Sequence, residues 1–159
     1  MVLERAKVAV YKRLPRALQK RAIRYGTPNF TVGTMAMLTD DGTRLLLVRP
    51  TYRRGWLPPG GFIGRGETPI ETLHRELREE LDVTAAIAEP HRVYFDVRRQ
   101  ALTYVCVAVL NAGQTPRLVG PELSDLAWYP LEALPPMPED FHEGIHDEDV
   151  AAVRSARVR

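Results

Sequence analysis

The sequence predicts an α/β domain, residues 27–159, carried behind a basic helical arm, residues 1–26. Three observations lead there. Strand-sized runs of apolar and β-branched residues recur between positions 31 and 129, residues 69–81 carry helical periodicity, and the composition is that of an ordinary globular chain. Of 159 residues, 45% are hydrophobic and 26% charged, which excludes disordered, collagen-like and disulfide-rich classes. A chain this long buries roughly 68–70% of its unfolded surface, so its core needs no disulfide or structural metal. The single Cys106 cannot form an internal bridge. With no run near the ~18 apolar residues of a membrane span and no secretion-type apolar core at the start, a reducing, cytoplasmic setting is expected.

The arm comes first. Residues 1–24 hold eight basic side chains and one acid, Glu4, for a charge of +7, while the other 135 residues hold 14 basic and 19 acidic groups, for −5. The formal net charge of +2 therefore describes neither part. Pro15 should divide the arm into two helical pieces, and Leu14, Ala17, Leu18 and Ala22 follow helical spacing. A basic helix of this kind packs on its own domain or meets anionic lipid, nucleic acid or an acidic partner.

Strand chemistry begins after Gly26-Thr27-Pro28. The apolar run 31–38, the turn residues Asp40-Asp41-Gly42 and the run 44–49 read as a strand, a hairpin turn and a returning strand. Residues 50–68 are rich in Gly, Pro and Arg, the composition of a long functional loop. Thr68, Pro69 and Glu71 then supply a capping box and a first-turn proline. Ile70, Leu73, Leu77 and Leu81 fall within about 80° of arc at ~100° per residue, so one helix face belongs to the core. Strands are expected at 92–98 and 102–110, joined tightly through Arg99-Gln100, and a short one at 126–129. Residues 130–136 read as a helical turn closed by prolines, and 147–158 as a final helix.

The helix at 69–81 carries more than a core face. Taking Glu76 as zero, Glu79 and Glu80 lie at about 300° and 40° around the axis, so three carboxylates share one ~100° sector bordering the leucine stripe. Like charges at these spacings destabilise a helix by roughly 0.2–0.5 kcal/mol per pair. On a surface helix water can screen that repulsion; beside a glycine-rich loop a divalent cation would answer it, and carboxylate oxygens select Mg2+ or Mn2+ over zinc.

Reading on from Gly61 gives five residues, Glu67, seven residues, then Arg75-Glu76-Leu77-Arg78-Glu79-Glu80-Leu81-Asp82-Val83. This resembles the Nudix box, G-x5-E-x7-R-E-U-x-E-E-x-G-U with U aliphatic, at six of its seven fixed positions and both aliphatic ones. The flanks are similar too: Gly55-Trp56-Leu57-Pro58-Pro59-Gly60-Gly61 looks like the family's W-x-L-P-G-G entry. Glu122, Trp128 and Leu131-Glu132-Ala133-Leu134 look like its acid followed by W-x-x-L-x-x-L. Asp82 replaces the last glycine of the box, Gly64 stands where many members carry another acid, and Pro59 stiffens the entry. Asp tolerates the left-handed conformation that the missing glycine would adopt, so a modest stability cost is expected.

The resemblance implies an α/β/α sandwich with a mixed sheet, and a hydrolase that directs water onto a phosphorus of a nucleoside diphosphate linked to another group. Carried over by position, Glu76, Glu79 and Glu80 would bind Mg2+ or Mn2+ with the Gly61 carbonyl, and Glu67 would support the loop or an outer metal. Arg75 would pair with a glutamate, Glu79 being within reach at i+4. Glu79 or Glu80 would accept the proton of the attacking water, or Glu122 from a later loop would do so. The expected partners are a nucleotide-type small molecule, a second copy in a homodimer, and for the arm an anionic surface. The alternative is a non-catalytic Nudix-like nucleotide sensor or adaptor, although such domains usually lose box carboxylates and this chain keeps them.

Weaker features complete the inventory. Arg49, Arg53 and Arg54 border the loop as phosphate-binding candidates, and Tyr52, Phe62, Tyr94, Phe95 and Tyr104 as base-stacking ones. His142 and His146 have i,i+4 spacing but no third zinc ligand. Pro90, Tyr94 and Tyr104 do not sit at the spacings that mark substrate subgroups of the family, so no nucleotide is singled out.

Overall fold

The computed structural model describes residues 15–139, 141 and 143–156. These divide between Phe30 and Thr31 into two compact units. In the first, α1 (Arg16–Gly26) starts directly after Pro15, whose carbonyl accepts the Leu18 and Gln19 amides at 2.9 and 3.0 Å. A proline is well suited there because it has no N–H to leave unpaired. Leu18 is exposed, and the expectations for residues 1–14 lie outside the described residues.

The second unit has the order β1 (Thr31–Thr39), β2 (Arg44–Pro50), β3 (Gly60–Phe62), α2 (Pro69–Leu81), β4 (Ala85–Ile87), β5 (Arg92–Asp96), β6 (Ala101–Leu110), β7 (Leu123–Pro130) and α3 (Asp147–Ser155). A mixed sheet runs β3-β1-β6-β4, with β5 also on β6. The β1–β6 ladder is parallel and the others antiparallel. β2 and β7 form a separate antiparallel pair.

Two apolar layers follow from the alternation of strand side chains. Ala36 and Leu38 of β1 join Leu46 and Val48 of β2 against Leu73, Leu77 and Leu81 of α2. Met35 and Met37 pack oppositely with Leu45, Leu47, Val105 and Val107 against Val153 of α3. Strands lie between a helix on each side, an α/β/α sandwich. Cys106 is fully buried in the first layer, and burial pushes its thiol up to about 11, so it serves as packing. Among the described residues no helix is long and apolar enough to cross a membrane.

Several expectations need correction. Residues 31–39 and 44–50 do not form a hairpin: Asp41 and Gly42 turn the chain, but β2 crosses to β7 and leaves β1 between β3 and β6. The reason is that both edges of β1 are taken, one by β3 and the other by β6, so β2 pairs with β7 instead. β5 ends at Asp96, whose Oδ1 accepts the Arg98 and Arg99 amides, so the connection spans residues 97–100. β7 begins three residues earlier than expected, β3 and β4 are additional, and residues 131–136 form a turn with no helix. The last helix ends at Ser155.

Candidate active site

α2 places the acids, and its ends are fixed locally. Thr68 Oγ1 accepts the Glu71 amide while the Glu71 carboxylate accepts the Thr68 amide, which satisfies two donors of the first turn. At the other end Asp82 adopts φ 55°, ψ 39°, the left-handed cap that the sequence assigned to it, and its carboxylate meets Arg117.

Before α2, the loop is held by Glu67. Its carboxylate accepts from Arg75 Nε at 2.9 Å, Thr72 Oγ1 at 2.9 Å, the Gly64 amide at 3.0 Å and Arg75 Nη2 at 3.2 Å. These bonds, the Arg75 guanidinium first, hold its pKa down to about 2. A Cβ on Gly64 would come within 2.7 Å of Glu67 Oε2, so a larger residue there would require the carboxylate to shift. Arg75 Nη1 also reaches Glu76 Oε1 at 2.9 Å and Glu79 Oε2 at 3.2 Å, the i+4 pairing expected from the sequence.

A cleft of about 310 Å³ opens between α2, β3 and the β2 and β7 ends. Glu76, Glu80 and Glu122 line it together with Gly61, Tyr52 and Arg53. The Glu76 side chain is 14% exposed, and a Cβ on Gly61 would overlap its carboxylate, so the bare β3 backbone is what admits that acid. Glu122 is brought in by Thr51: its amide donates to the Glu122 carbonyl at 2.8 Å and its hydroxyl at 3.1 Å. Glu80 is half-buried, and burial, then the charges of Glu76, Glu122 and Glu79, push its pKa up to about 7. Arg75 opposes these shifts without cancelling them.

The structure brings Glu76, Glu80, Glu122 and Gly61 together and leaves Glu67, Glu79 and Arg75 outside the cleft lining. Among the described residues no three acidic, His or Cys side chains already surround one point; Arg75 holds three of the acids, Glu67, Glu76 and Glu79. Of the arginines, Arg53 lines the cleft, whereas Arg49 lies 4.4 Å over the Trp56 ring and 3.9 Å from Asp125. Of the aromatics, Tyr52 and Phe62 line the cleft, 80% and 72% exposed, while Tyr94 and Phe95 border a separate surface hollow. His142 lies outside the described residues, and His146 caps α3.

Sequence reasoning missed Gly33, Thr103, Phe141 and Glu143, which line the same cleft. It also missed the knot behind them. The Asp149 carboxylate, fully buried, meets Arg92 Nη2 at 2.7 Å, His91 Nε2 at 2.7 Å and the His146 amide at 2.8 Å. No local signal marks it, because Arg92 and Asp149 are 57 residues apart.

The comparisons agree with this geometry. The family described as NUDIX domain matches residues 29–148. A Bacillus subtilis (strain 168) protein named "Putative 8-oxo-dGTP diphosphatase" is 27% identical over 129 residues, covering 76% of this chain and 86% of that one. The crystal structure of a MutT NUDIX hydrolase from Burkholderia pseudomallei superposes with a TM-score of 0.57 at 28% identity, covering 71% and 93% of the two chains. That of a NUDIX-family hydrolase from Clostridium perfringens gives 0.59 at 16% identity, over 80% and 96%. With a family match spanning most of its length, and Glu76 and Glu80 of the box lining the cleft, the chain belongs to the NUDIX hydrolase family.

Proposed function

We propose that this Nudix pyrophosphohydrolase cleaves a pyrophosphate bond in a nucleoside diphosphate linked to another group, with Mg2+ as cofactor and Mn2+ as its substitute. The observation that carries the reading is the gathering of Glu76, Glu80 and Glu122 in one cleft with Glu80 held near 7. Carboxylates so crowded favour a bound divalent cation, and the donors present are all hard oxygens. The residues fit such an ion: because Gly61 has no Cβ, the Glu76 carboxylate lies directly against the β3 backbone, beside the cleft that Glu80 and Glu122 also line. Glu76, Glu79, Glu80 and the Gly61 carbonyl would hold it. When bound, a cation at this site neutralises phosphate oxygens and acidifies water.

The chain's own groups supply the rest. Arg75 fixes Glu76 and Glu79 through one nitrogen, orienting the acids along α2. Of the two roles open to Glu67, loop support fits, since both of its oxygens are already engaged. Glu80 or Glu122 accepts the proton of the attacking water from within the cleft. Arg53 faces the phosphates, and Tyr52 borders the entrance. The same reading keeps residues 1–26 as a basic arm, 27–159 as the catalytic domain and the cytoplasm as its setting.

The test is Glu79→Gln combined with Glu80→Gln, assayed on a nucleotide panel with Mg2+ and with Mn2+. Loss of about 100-fold or more in turnover is expected if these acids hold the cation and the reacting water. Equal activity in the double variant, or no product from the wild type on any member of the panel, sinks the reading.

A further inference from the structure

Side chains alternate along β3. Gly61 faces Glu76, so Phe62 projects from the other face of the sheet. There Phe62 stands in one row with Gly33 and Thr103, because Gly33 is the register partner of both. A Cβ built on Gly33 would lie 3.3 Å from the Gly61 carbonyl oxygen, 3.8 Å from Phe62 Cδ1 and 4.0 Å from Thr103 Oγ1. Lacking that Cβ, the row is a slot with a bare backbone floor, an exposed aromatic wall and a polar wall. Phe141 and Glu143 line the same cleft, and β3 is the lip between this slot and the acids. Such a slot takes a flat ring.

Glu143 is the fixed polar group of the slot. Its Oε1 accepts the Thr103 hydroxyl at 3.2 Å, and its backbone carbonyl accepts Arg92 Nη1 at 3.3 Å. The Gly144 carbonyl accepts Arg92 Nη2 at 3.2 Å, and Arg92 is itself clamped by the buried Asp149. Among the described residues no hydrogen-bond partner meets Glu143 Oε2. A carboxylate with one oxygen tethered and one open is an acceptor-only group with a set orientation.

We propose that Glu143 selects the base of the substrate, accepting two adjacent N–H donors of a guanine-type ring seated over Gly33 against Phe62. This rests on the nucleotide reading above. Among common bases only guanine sets an imino N–H beside an amino group. Adenine and cytosine set their amino group beside a lone-pair nitrogen that repels a carboxylate, and uracil sets its one N–H between two carbonyls. Thr103 is a positioning residue that acts through Glu143.

The experiment compares guanosine with inosine nucleotides, which differ only by the amino group. Equilibrium binding of the two 5′-diphosphates is measured alongside hydrolysis of the two 5′-triphosphates. The wild type is expected to favour guanosine by about tenfold or more, the effect of one charge-assisted hydrogen bond. Glu143→Gln should bring the ratio within about twofold of unity. Thr103→Val should lower it, and Thr103→Ser, which keeps the hydroxyl, should restore it. A wild type that does not distinguish the two diphosphates, or a Glu143→Gln variant that keeps the preference, overturns the proposal. Guanosine-selective binding without hydrolysis of any nucleotide supports Glu143's role while removing the hydrolase reading, so the two failures are told apart.

Discussion

Asp149 and Glu80 are both carboxylates drawn into the protein, and their surroundings are opposite. Burial alone would raise the pKa of Asp149, but Arg92, the His146 amide and His91 outweigh it and hold the group below its ordinary value. Around Glu80 burial acts in the same direction as Glu76, Glu122 and Glu79, with Arg75 too weak to offset them. One acid joins β5 to α3. The other sits in a cleft among like charges that oppose its ionisation, the kind of perturbation that clusters at functional sites. The difference teaches that partners, more than depth, separate a structural acid from a functional one.

The largest expected effect comes from breaking the first acid. Asp149→Ala removes the buried partner of the Arg92 guanidinium, 10% exposed, and leaves it the exposed Glu148 carboxylate at 3.4 Å. Removing one member of such a pair costs about 3–5 kcal/mol. For a domain of this size that is a drop in Tm of roughly 6–20 °C, read by thermal melting. A fall of a degree or two would place the strength of the knot elsewhere.

Next is the neutralisation of the second acid. The pKa of Glu80 is raised in the folded protein, so its proton is held more tightly folded than unfolded. Its stabilising contribution is complete below about 4.5 and is lost as pH rises through about 7. Glu80→Gln should therefore raise the Tm of metal-free protein at pH 8 by roughly 2–4 °C, equivalent to about 1 kcal/mol, and change it little at pH 4. Destabilisation at both pH values contradicts the contrast.

Metal addition separates the two acids without mutation. Mg2+ at 100 times its dissociation constant should stabilise the wild type at pH 8 by about 2.7 kcal/mol. Glu76→Gln should reduce that shift, while Asp149→Ala, though less stable, should keep most of it. A shift that ignores Glu76 would place the cation away from the cleft.

The smallest effect tests the helix end. Asp82→Gly removes the strain of a left-handed Asp, φ 55°, but also the ion pair to Arg117, so the two changes oppose and the net should stay within about 0.5 kcal/mol. A larger gain in a urea melt would show that the ion pair contributes nothing.

These contrasts also explain what was legible beforehand. The bounds of α2, its capping box and the left-handed Asp82 were readable because each is set by residues within one or two turns. β3 was not, because two of its three residues are glycines, which are depleted in strands; glycine is needed there because a Cβ at Gly60 would collide with the Thr34 backbone. The hairpin expected from the runs 31–38 and 44–49 does not form, since turn residues show where a chain bends and not which strand it joins. Glu76 and Glu80 were visible as a helical sector, and Glu122 by its place before Trp128. Glu143 and Asp149 looked like ordinary acids of the tail, and only long-range contacts with Thr103 and Arg92 give them meaning.

The contrast turns on Glu80, whose raised pKa keeps it partly protonated at neutral pH and which the proposed cation would hold ionised. Its most direct test is an NMR titration of the Glu80 side-chain carboxyl in metal-free protein and again with Mg2+. A midpoint near 7 that falls markedly when Mg2+ is present is the predicted result. A midpoint at the ordinary glutamate value of about 4.3 without metal, unmoved by Mg2+, would contradict the account.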